Sequence, residues 1–530
     1  MALRTLPLEI YARTIFHVSS IRALSAVSQT SRAMHSLCDM KNRERFHRIC
    51  IDEARIEKTF NLLMEILKQR SLGKYVRKIE HRYRRPYQVP AYTEAKEQRS
   101  LSAEEMDLLR SAVQKAGFSG TQESAVINML MQKDTSGRDG ELGDVGNRIR
   151  LSRIYPSVIM GTFITQALTA MLISVSPNLE ALTMTQPFES YDSFNYEPEK
   201  NPRESFTDFP IDRILRRANT DPTSVPYLQN LRKVYIIVDE VIMGGDDRSY
   251  VGLEFFDCIK LIDNLPSIES IGTDALIEDE NDVATLLPTS SNISRVYLNH
   301  CALNTPYLAY IIQSCKVLKE FQYTIGGRDV LDGHFCPLNP KTFIKAISPH
   351  KDTLEVLDID AEANIHDLSY YYDDDFARAD KRFDEVLDPY LAEDDGILLQ
   401  QEQFVQSFLG NSGCLKDFHA LKRVSLGVGF LLYFARGVGG SYETRDPATF
   451  KLVECLPEGL EYLCIRGYKK GRIEKWDEQI DSLMTFWQSG KSNIKEITGV
   501  EEEILNAKDL DDIDNQEHLV WVLQEDTHVL

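Results

Sequence analysis

The sequence predicts an α/β protein in which a helical N-terminal segment is followed by a stack of repeated strand and helix units. An apolar triplet with spacing i, i+3, i+5 recurs between residues 179 and 497 of the 530-residue chain. Such a triplet is typical of a short strand whose alternate side chains enter one core. Stretches with helical apolar spacing precede most copies. A single unit of this kind cannot bury its apolar face, so the repetition predicts a solenoid with parallel strands inside and helices outside.

The first forty residues predict two or three short helices. Pro7 suits a first helical turn, where its missing N–H leaves no intrahelical bond unmade. Leu8, Tyr11, Ile15 and Val18 follow at helical spacing and give one apolar face. So short a segment has little core of its own, and part of its apolar surface is expected to be covered by another protein or by the solenoid.

The order of residues in this segment resembles an F-box. Leu6-Pro7-Leu8-Glu9-Ile10 matches the family's opening Leu-Pro-x-Glu-Ile/Leu, and Ile15 matches its next apolar anchor. The resemblance implies docking on the small adaptor subunit of a cullin-RING ubiquitin ligase. The adaptor-binding positions that it implies are Leu6, Pro7, Glu9, Ile10, Ile15, Ile21, Leu24 and Val27. The alternative interpretation is that these helices form the cap of the solenoid.

Between this segment and the repeats the sequence predicts mainly helices. Lys41–Gln69 predicts one long helix with a single apolar stripe, and Tyr75–Ile79 predicts the first strand. A capping box that begins at Ser102 predicts a helix through Lys115. Phe163–Val175 predicts a further helix, after which the repeats begin.

Seven complete copies of the triplet and two weaker ones form the repeat ladder. The complete copies are Leu179/Leu182/Met184, Leu231/Val234/Ile236, Ile293/Val296/Leu298, Leu318/Phe321/Tyr323, Leu354/Leu357/Ile359, Leu421/Val424/Leu426 and Leu460/Leu463/Ile465, and the weaker copies are Ile268/Ile271 and Ile494/Ile497. The shortest interval between copies is 25 residues, and the longer intervals indicate loop insertions. An ordinary α/β domain is the alternative that the irregular spacing leaves open.

The best-formed unit is residues 293–323, in which a helix opened by Thr305 and Pro306 joins two strands. It resembles the leucine-rich repeat of the cysteine-containing type, because Cys301 follows the first strand and Cys315 closes the helix. Side chains between the apolar anchors are expected to face the inner surface and to contact a target protein. The predicted target-binding residues are Tyr235, Tyr297, Asn299, Gln322, Asp358, Asp360, Arg423 and Arg466. Binding through loop insertions instead is the alternative.

The predicted domains follow from these patterns. They are an F-box-like helical domain over 1–50, a helical linker and start of the solenoid over 51–150, a leucine-rich-repeat-like domain over 151–505 with insertions at 186–223 and 361–403, and an acidic tail over 506–530. The second insertion carries the acidic run Asp373–Asp375, which could receive a basic peptide but more often is a solvated loop.

The sequence offers no recognisable catalytic or cofactor motif. Gly427-Val428-Gly429 fails the dinucleotide pattern, and His334 with Cys336 makes one weak pair of metal ligands. A net charge of −21, nine Cys without a C-x-x-C pair and no long apolar run predict an intracellular protein, cytoplasmic or nuclear, with no membrane or nucleic-acid partner.

These observations together predict a non-catalytic receptor without cofactors. Its adaptor, and through it a cullin, would bind the N-terminal helices, and an unknown target protein would bind the repeats. The alternatives are a repeat scaffold with no ligase role and, less favoured, a hydrolase or transferase with a site that no motif reveals.

Overall fold

The computed structural model describes residues 10–11, 14–15, 18, 21–52, 56–82, 99–131, 156–187, 210–237, 250–277, 286–327, 338–365, 408, 410–442 and 450–507. The chain divides into two compact units. Unit 1 comprises Met1–Ile242 and Asp257–Ile271, and unit 2 comprises Met243–Phe256 and Gly272–Leu530.

Most of the described strands belong to one sheet. The strands are β1 (Arg48–Asp52), β2 (Lys78–Arg82), β3 (Ala181–Thr185), β4 (Lys233–Ile237), β5 (Val251–Gly252), β6 (Ser270–Asp274), β7 (Leu276–Ile277), β8 (Arg295–Asn299), β9 (Glu320–Thr324), β10 (Val356–Asp360), β11 (Arg423–Gly427), β12 (Tyr462–Arg466) and β13 (Glu496–Thr498). Eleven of them form a sheet in the order β1-β2-β3-β4-β6-β8-β9-β10-β11-β12-β13, while β5 and β7 pair separately. Pairing is parallel from β1 to β4 and from β8 to β13. The predicted α/β class with parallel strands is confirmed.

Helices connect most of these strands. The described α-helices are α1 (Ile21–Ser28), α2 (Arg32–Cys38), α3 (Met40–Phe46), α4 (Ile56–Lys68), α5 (Ala103–Ala116), α6 (Thr121–Leu130), α7 (Pro156–Ser174), α8 (Pro210–Thr220), α9 (Phe255–Lys260), α10 (Thr305–Ser314), α11 (Pro340–Ile347), α12 (Val428–Arg436) and α13 (Glu474–Gln488).

The apolar triplets lie where the spacing predicted them. In all seven complete copies the second and third anchors lie on a strand, and no anchor is more than 3% exposed. The two weaker copies lie at β6 and β13. Each of the seven strands with a complete triplet therefore directs its second and fourth residues into the core, and its first, third and fifth residues to the opposite face.

The helix predicted over Lys41–Gln69 is wrong. That range holds α3, then strand β1, then α4. Ile49 and Ile51 are buried and alternate with polar residues, and β1 pairs in register with β2. The β-branched residues of this range fit the apolar stripe of a helix as well as a strand, and the pairing with β2 favours the strand.

Strand β1 carries an unrecognised copy of the repeat signature. Phe46, Ile49 and Ile51 have the i, i+3, i+5 spacing and are at most 1% exposed. The strand predicted over Tyr75–Ile79 is displaced, because Arg70–Tyr75 forms a 3-10 turn and β2 follows it.

The predicted insertion over 186–223 is shorter than expected. It contains helix α8, whose Ile211, Ile214 and Leu215 are buried. Residues 188–209 lie outside the described residues, as do residues 366–403 of the second predicted insertion. The capping box at the start of α5 is confirmed, because Ser102 Oγ accepts from Glu105 N at 3.2 Å and Glu105 Oε2 accepts from Ser102 N at 3.0 Å.

Neighbouring helices of unit 2 are joined through their N-terminal caps. Asn304, rather than the predicted Thr305, caps α10 by accepting from Tyr307 N at 2.8 Å. The Thr305 hydroxyl instead accepts from the backbone N–H of Asn339, the cap of α11, at 2.7 Å. Asn304 and Thr305 therefore specify both where α10 starts and how it contacts α11.

Candidate protein-interaction site

Seven of the eight predicted target-binding residues lie in unit 2, and Tyr235 lies on β4 of unit 1. The seven occupy first, third or fifth positions of β8 to β12, and we call the surface formed by these positions the polar face. Parallel register places Tyr297 beside Gln322 and Gln322 beside Asp358. Most of these side chains are half-buried, whereas Asp360 is buried and Arg423 is exposed.

Arg466 joins two of the other predicted residues. Its Nη2 lies 3.6 Å from Asp358 Oδ1, and its Nη1 lies 3.3 Å from Asp360 Oδ2. Arg466 Nε also donates to Ser425 Oγ at 3.1 Å, on strand β11, which lies between β10 and β12. The fork of the guanidinium thus spans three strands, and the small Ser425 side chain leaves room for it to do so.

Asp360 is the most enclosed acid of the polar face. Burial raises the pKa of its carboxyl, and the neighbouring Asp358 raises it further. The ion pair with Arg466 and the backbone N–H of Ala507, 2.9 Å from Asp360 Oδ1, act in the opposite direction. The carboxylate is therefore held by two donors in a site with little access to water.

A second polar network lies on β8 and β9. Glu320 Oε1 lies 2.9 Å from Arg295 Nε, and Glu320 Oε2 accepts from the Tyr297 hydroxyl at 2.6 Å. Arg295 and Glu320 were not predicted as site residues, although both occupy the first strand position that singled out Arg423. Applying the repeat register to every strand would have found them.

Arg423 contributes to a cationic and aromatic cluster at the starts of β11 and β12. Its guanidinium carbon lies 4.8 Å from the centre of the Tyr462 ring, and Lys495 Nζ lies 5.7 Å from the same ring. Such contacts hold the cations over an aromatic surface while leaving them open to solvent. Asn299 ends β8, where its carbonyl accepts from Ala275 N at 3.1 Å.

The segment 501–507 returns to the polar face after β13. Ile504 forms a parallel bridge with Arg466, and its carbonyl accepts from Gly467 N at 2.7 Å. The Ala507 N–H then reaches Asp360, a residue 147 positions earlier in the chain. The end of the predicted repeat domain, 501–505, and the first two residues of the predicted acidic tail, 506 and 507, therefore lie on the predicted target-binding surface, and residues 508–530 lie outside the described residues.

A carboxylate from one repeat caps the helix of the next. Glu362 Oε1 and Oε2 accept from Gly429 N at 3.2 Å and from Phe430 N at 3.0 Å, at the start of α12. Burial raises the pKa of Glu362 to about 7 despite these donors. A Cβ at Gly427 would lie 1.9 Å from Glu362 Oε2, so the glycine leaves the space that the cap requires. The first glycine of the Gly-x-Gly sequence thus has a structural explanation.

The N-terminal motif residues divide into core and surface positions. Ile15, Leu24 and Cys38 form a buried cluster against which Val27 packs. Ile10, in contrast, is 46% exposed. Leu6, Pro7 and Glu9 lie outside the described residues, and Ile21 begins helix α1.

Contacts of α3 and of the residue before it tie the N-terminal helices to the start of the sheet. The Tyr75 hydroxyl donates to Asp39 Oδ2 at 2.7 Å, and Arg43 Nε donates to the carbonyl of Cys38 at 2.7 Å. Arg43 also lies over the Tyr75 ring, 5.4 Å from its centre. Helices α2 and α3 are therefore held to one another and to the turn that leads into β2.

No group of three or more potential metal ligands occurs among the described residues. His334, Cys336 and Asp373–Asp375 lie outside them. No helix in the described part of the chain has the length and apolar character needed to cross a membrane. The chain matches no protein-family model and no curated protein.

Proposed function

We propose that this chain is a substrate-recognition subunit of a cullin-RING ubiquitin ligase. Its N-terminal helices bind the adaptor subunit and, through it, the cullin. Its repeats form a leucine-rich-repeat-like solenoid that binds a target protein. The chain itself performs no chemistry, and ubiquitin is transferred by a partner enzyme that the assembly brings close to the target.

The division of the F-box-like motif into buried and exposed positions is the observation that carries this proposal. Ile15 and Leu24 hold the helices together, whereas Ile10 leaves nearly half of its apolar side chain in water. An exposed apolar residue at a motif position is what a docking surface needs. A cap of a solenoid would have no need to present it.

The order of the strands supports the solenoid interpretation. In unit 1, strands β1 to β4 are neighbours in sequence order, and in unit 2 strands β8 to β13 are; their pairing is parallel and in register. Each unit repeats the same buried anchors, as expected when every repeat contacts only its neighbours. The polar face then presents mixed polar, charged and aromatic side chains, a composition suited to binding a protein.

A repeat scaffold without a ligase role is the second candidate. The observation that favours it is the packing of α3 and Asp39 against Tyr75, which would equally suit a helical cap on the first strand. Binding of the adaptor distinguishes the two functions.

Co-purification of the full chain with the ligase adaptor tests the proposal. Ile10→Asp places a charge in the expected interface and should weaken binding by roughly 2 kcal/mol or more, about thirtyfold. A triple variant that combines Ile10→Asp with Leu6→Ala and Pro7→Ala should bind no adaptor at all. Leu287→Asp, at a residue that is 70% exposed in unit 2, is the matched control and should bind normally.

The folded state of each variant is checked by circular dichroism before binding is compared. Failure of the folded wild-type chain to bind the adaptor would refute the ligase role and leave the scaffold. Equal binding by the wild type and by the Ile10→Asp and triple variants would show that the adaptor contacts another surface.

A further inference from the structure

We propose that the ends of β10 and β12 form a docking site for an extended peptide, and that residues 503–507 occupy this site as an intramolecular ligand. The inference rests on the proposed function only in taking the polar face to be the surface that a target binds. It adds the kind of segment that this surface accepts and the way in which access to it is controlled.

The contacts between the segment and the site are mainly made by backbone groups. Gly467 N donates to the carbonyl of Ile504, the bridge to Arg466 is parallel, and the Ala507 N–H is bound by the buried Asp360 carboxylate. Extended peptides are commonly bound in this way, with main-chain hydrogen bonds for affinity and pockets for some side chains. The two strand ends thus provide one donor, Gly467 N, and one acceptor, the Asp360 carboxylate, to a peptide that lies beside them.

Gly467 determines which peptide side chain fits the site. A Cβ at Gly467 would lie 2.4 Å from Asn506 Nδ2, so the missing side chain leaves the space that Asn506 fills. The ligand is therefore an extended segment with a carbonyl at the position of Ile504, an amide side chain two residues later and an N–H at the next residue. Proline at that last position is excluded because it has no N–H to donate to Asp360.

The segment is held loosely enough to be displaced. None of residues 501–507 is buried, and Leu505 is 71% exposed. The ion pair between Glu503 and Lys469, at 3.5 Å, involves an exposed lysine and adds little. Because little apolar surface holds the segment down, it can open without unfolding the sheet beneath it. A target peptide of similar shape would then compete with it for Asp360, Arg466 and Gly467.

Binding of the chain's own segment, supplied as a separate peptide, tests the proposal. The probe is a fluorescent, C-terminally amidated peptide of residues 501–507, added to a chain that ends after Val500 and to the full chain. Fluorescence anisotropy should show saturable binding to the shortened chain. The full chain should bind at least roughly tenfold more weakly, because its own segment competes at a high effective concentration.

Two variant peptides test the geometry. Ala507→Pro removes the N–H that Asp360 accepts and should weaken binding by roughly tenfold or more, whereas Ala507→Gly keeps the N–H and should bind within about threefold of the parent. A shortened chain that is folded but does not bind, or that binds the two variants equally, would overturn the proposal. Equal binding to the full and shortened chains would also overturn it.

Hydrogen exchange in the full chain provides a second test should the shortened chain not fold. The Gly467 amide, which donates to Ile504, should exchange faster in the Ala507→Pro variant than in the Ala507→Gly variant, while β11 and β12 keep their protection. Equal exchange in both variants would refute the proposal. These tests are independent of the adaptor test, which reports on the opposite end of the chain.

Discussion

Glu362 is expected to make unit 2 less stable as the pH rises from about 4.5 to about 7. Burial raises the pKa of this carboxyl from its ordinary value of 4.5 to about 7 in the folded chain, and the charge of Asp360 adds to the effect. The folded state therefore binds the proton of Glu362 more tightly than the unfolded state does. The stability that this gives is fully present below pH 4.5 and is lost as the pH rises through the folded pKa.

The size of the effect follows from the two pKa values. The interval from 4.5 to about 7 corresponds to roughly 3 kcal/mol of unfolding free energy. The N–H groups of Gly429 and Phe430 bind the carboxylate and already act against this shift. Glu362→Gln keeps one acceptor oxygen for these donors but carries no titrating proton, so it should lack the pH dependence.

Urea unfolding followed by tryptophan fluorescence measures this difference. Trp476 and Trp487 lie in unit 2 together with Glu362. Between pH 5 and pH 8 the stability of the Glu362→Gln variant relative to the wild type should rise by roughly 2.5 kcal/mol, most of the total effect. Glu454→Gln, at a side chain that is 63% exposed, is the control and should show a constant difference. A constant difference for Glu362→Gln as well would mean that the two N–H donors offset burial completely.

Two further predictions concern single core contacts. Ile49→Ala, in a strand that the sequence pattern did not reveal, should destabilise unit 1 by roughly 2–5 kcal/mol, whereas Glu44→Ala, at an exposed residue, should have little effect. Circular dichroism and hydrogen exchange of the β2 amides measure the loss of stability. A loss below about 0.5 kcal/mol would place Ile49 outside the core. Gly427→Ala should lower the urea midpoint because its methyl group meets the Glu362 side chain, including its Cβ, and it should cost measurably less in a Glu362→Gly background, which removes that side chain. Equal costs in the two backgrounds would show that this contact is not the cause.

The strands were predictable because their signal is local. In the complete copies, such as Leu318/Phe321/Tyr323, three buried anchors lie within six residues, and the alternation itself states which side chains enter the core. The copy in β2 was obscured because His81 takes the place of its third apolar anchor. His81 is buried, and its Nδ1 lies 3.5 Å from Thr185 Oγ1 on the next strand, a contact that no hydropathy pattern reveals.

The copy in β1 was obscured for a different reason. Ile49 and Ile51 belong to the repeat triplet, and Phe46, Ile49 and Ile56 also fit the stripe of a helix. Both periods are present in the sequence, and the choice between them depends on β2, which lies 30 residues further along the chain. Short apolar runs of this kind are decided by their partners more than by their own propensity.

The side-chain contacts of the candidate site were also only partly predictable from the sequence. Repeat position predicts that Asp358, Asp360 and Arg466 reach one face, but not that Arg466 extends across β11 to the two acids of β10. That pairing requires the register of three strands and a residue as small as Ser425 between them. Arg466 therefore already binds Asp358 and Asp360, and the segment 503–507 already contacts Asp360 and Arg466. A target must exchange these contacts rather than add to them, so the affinity of this surface depends on what it releases as well as on what it binds.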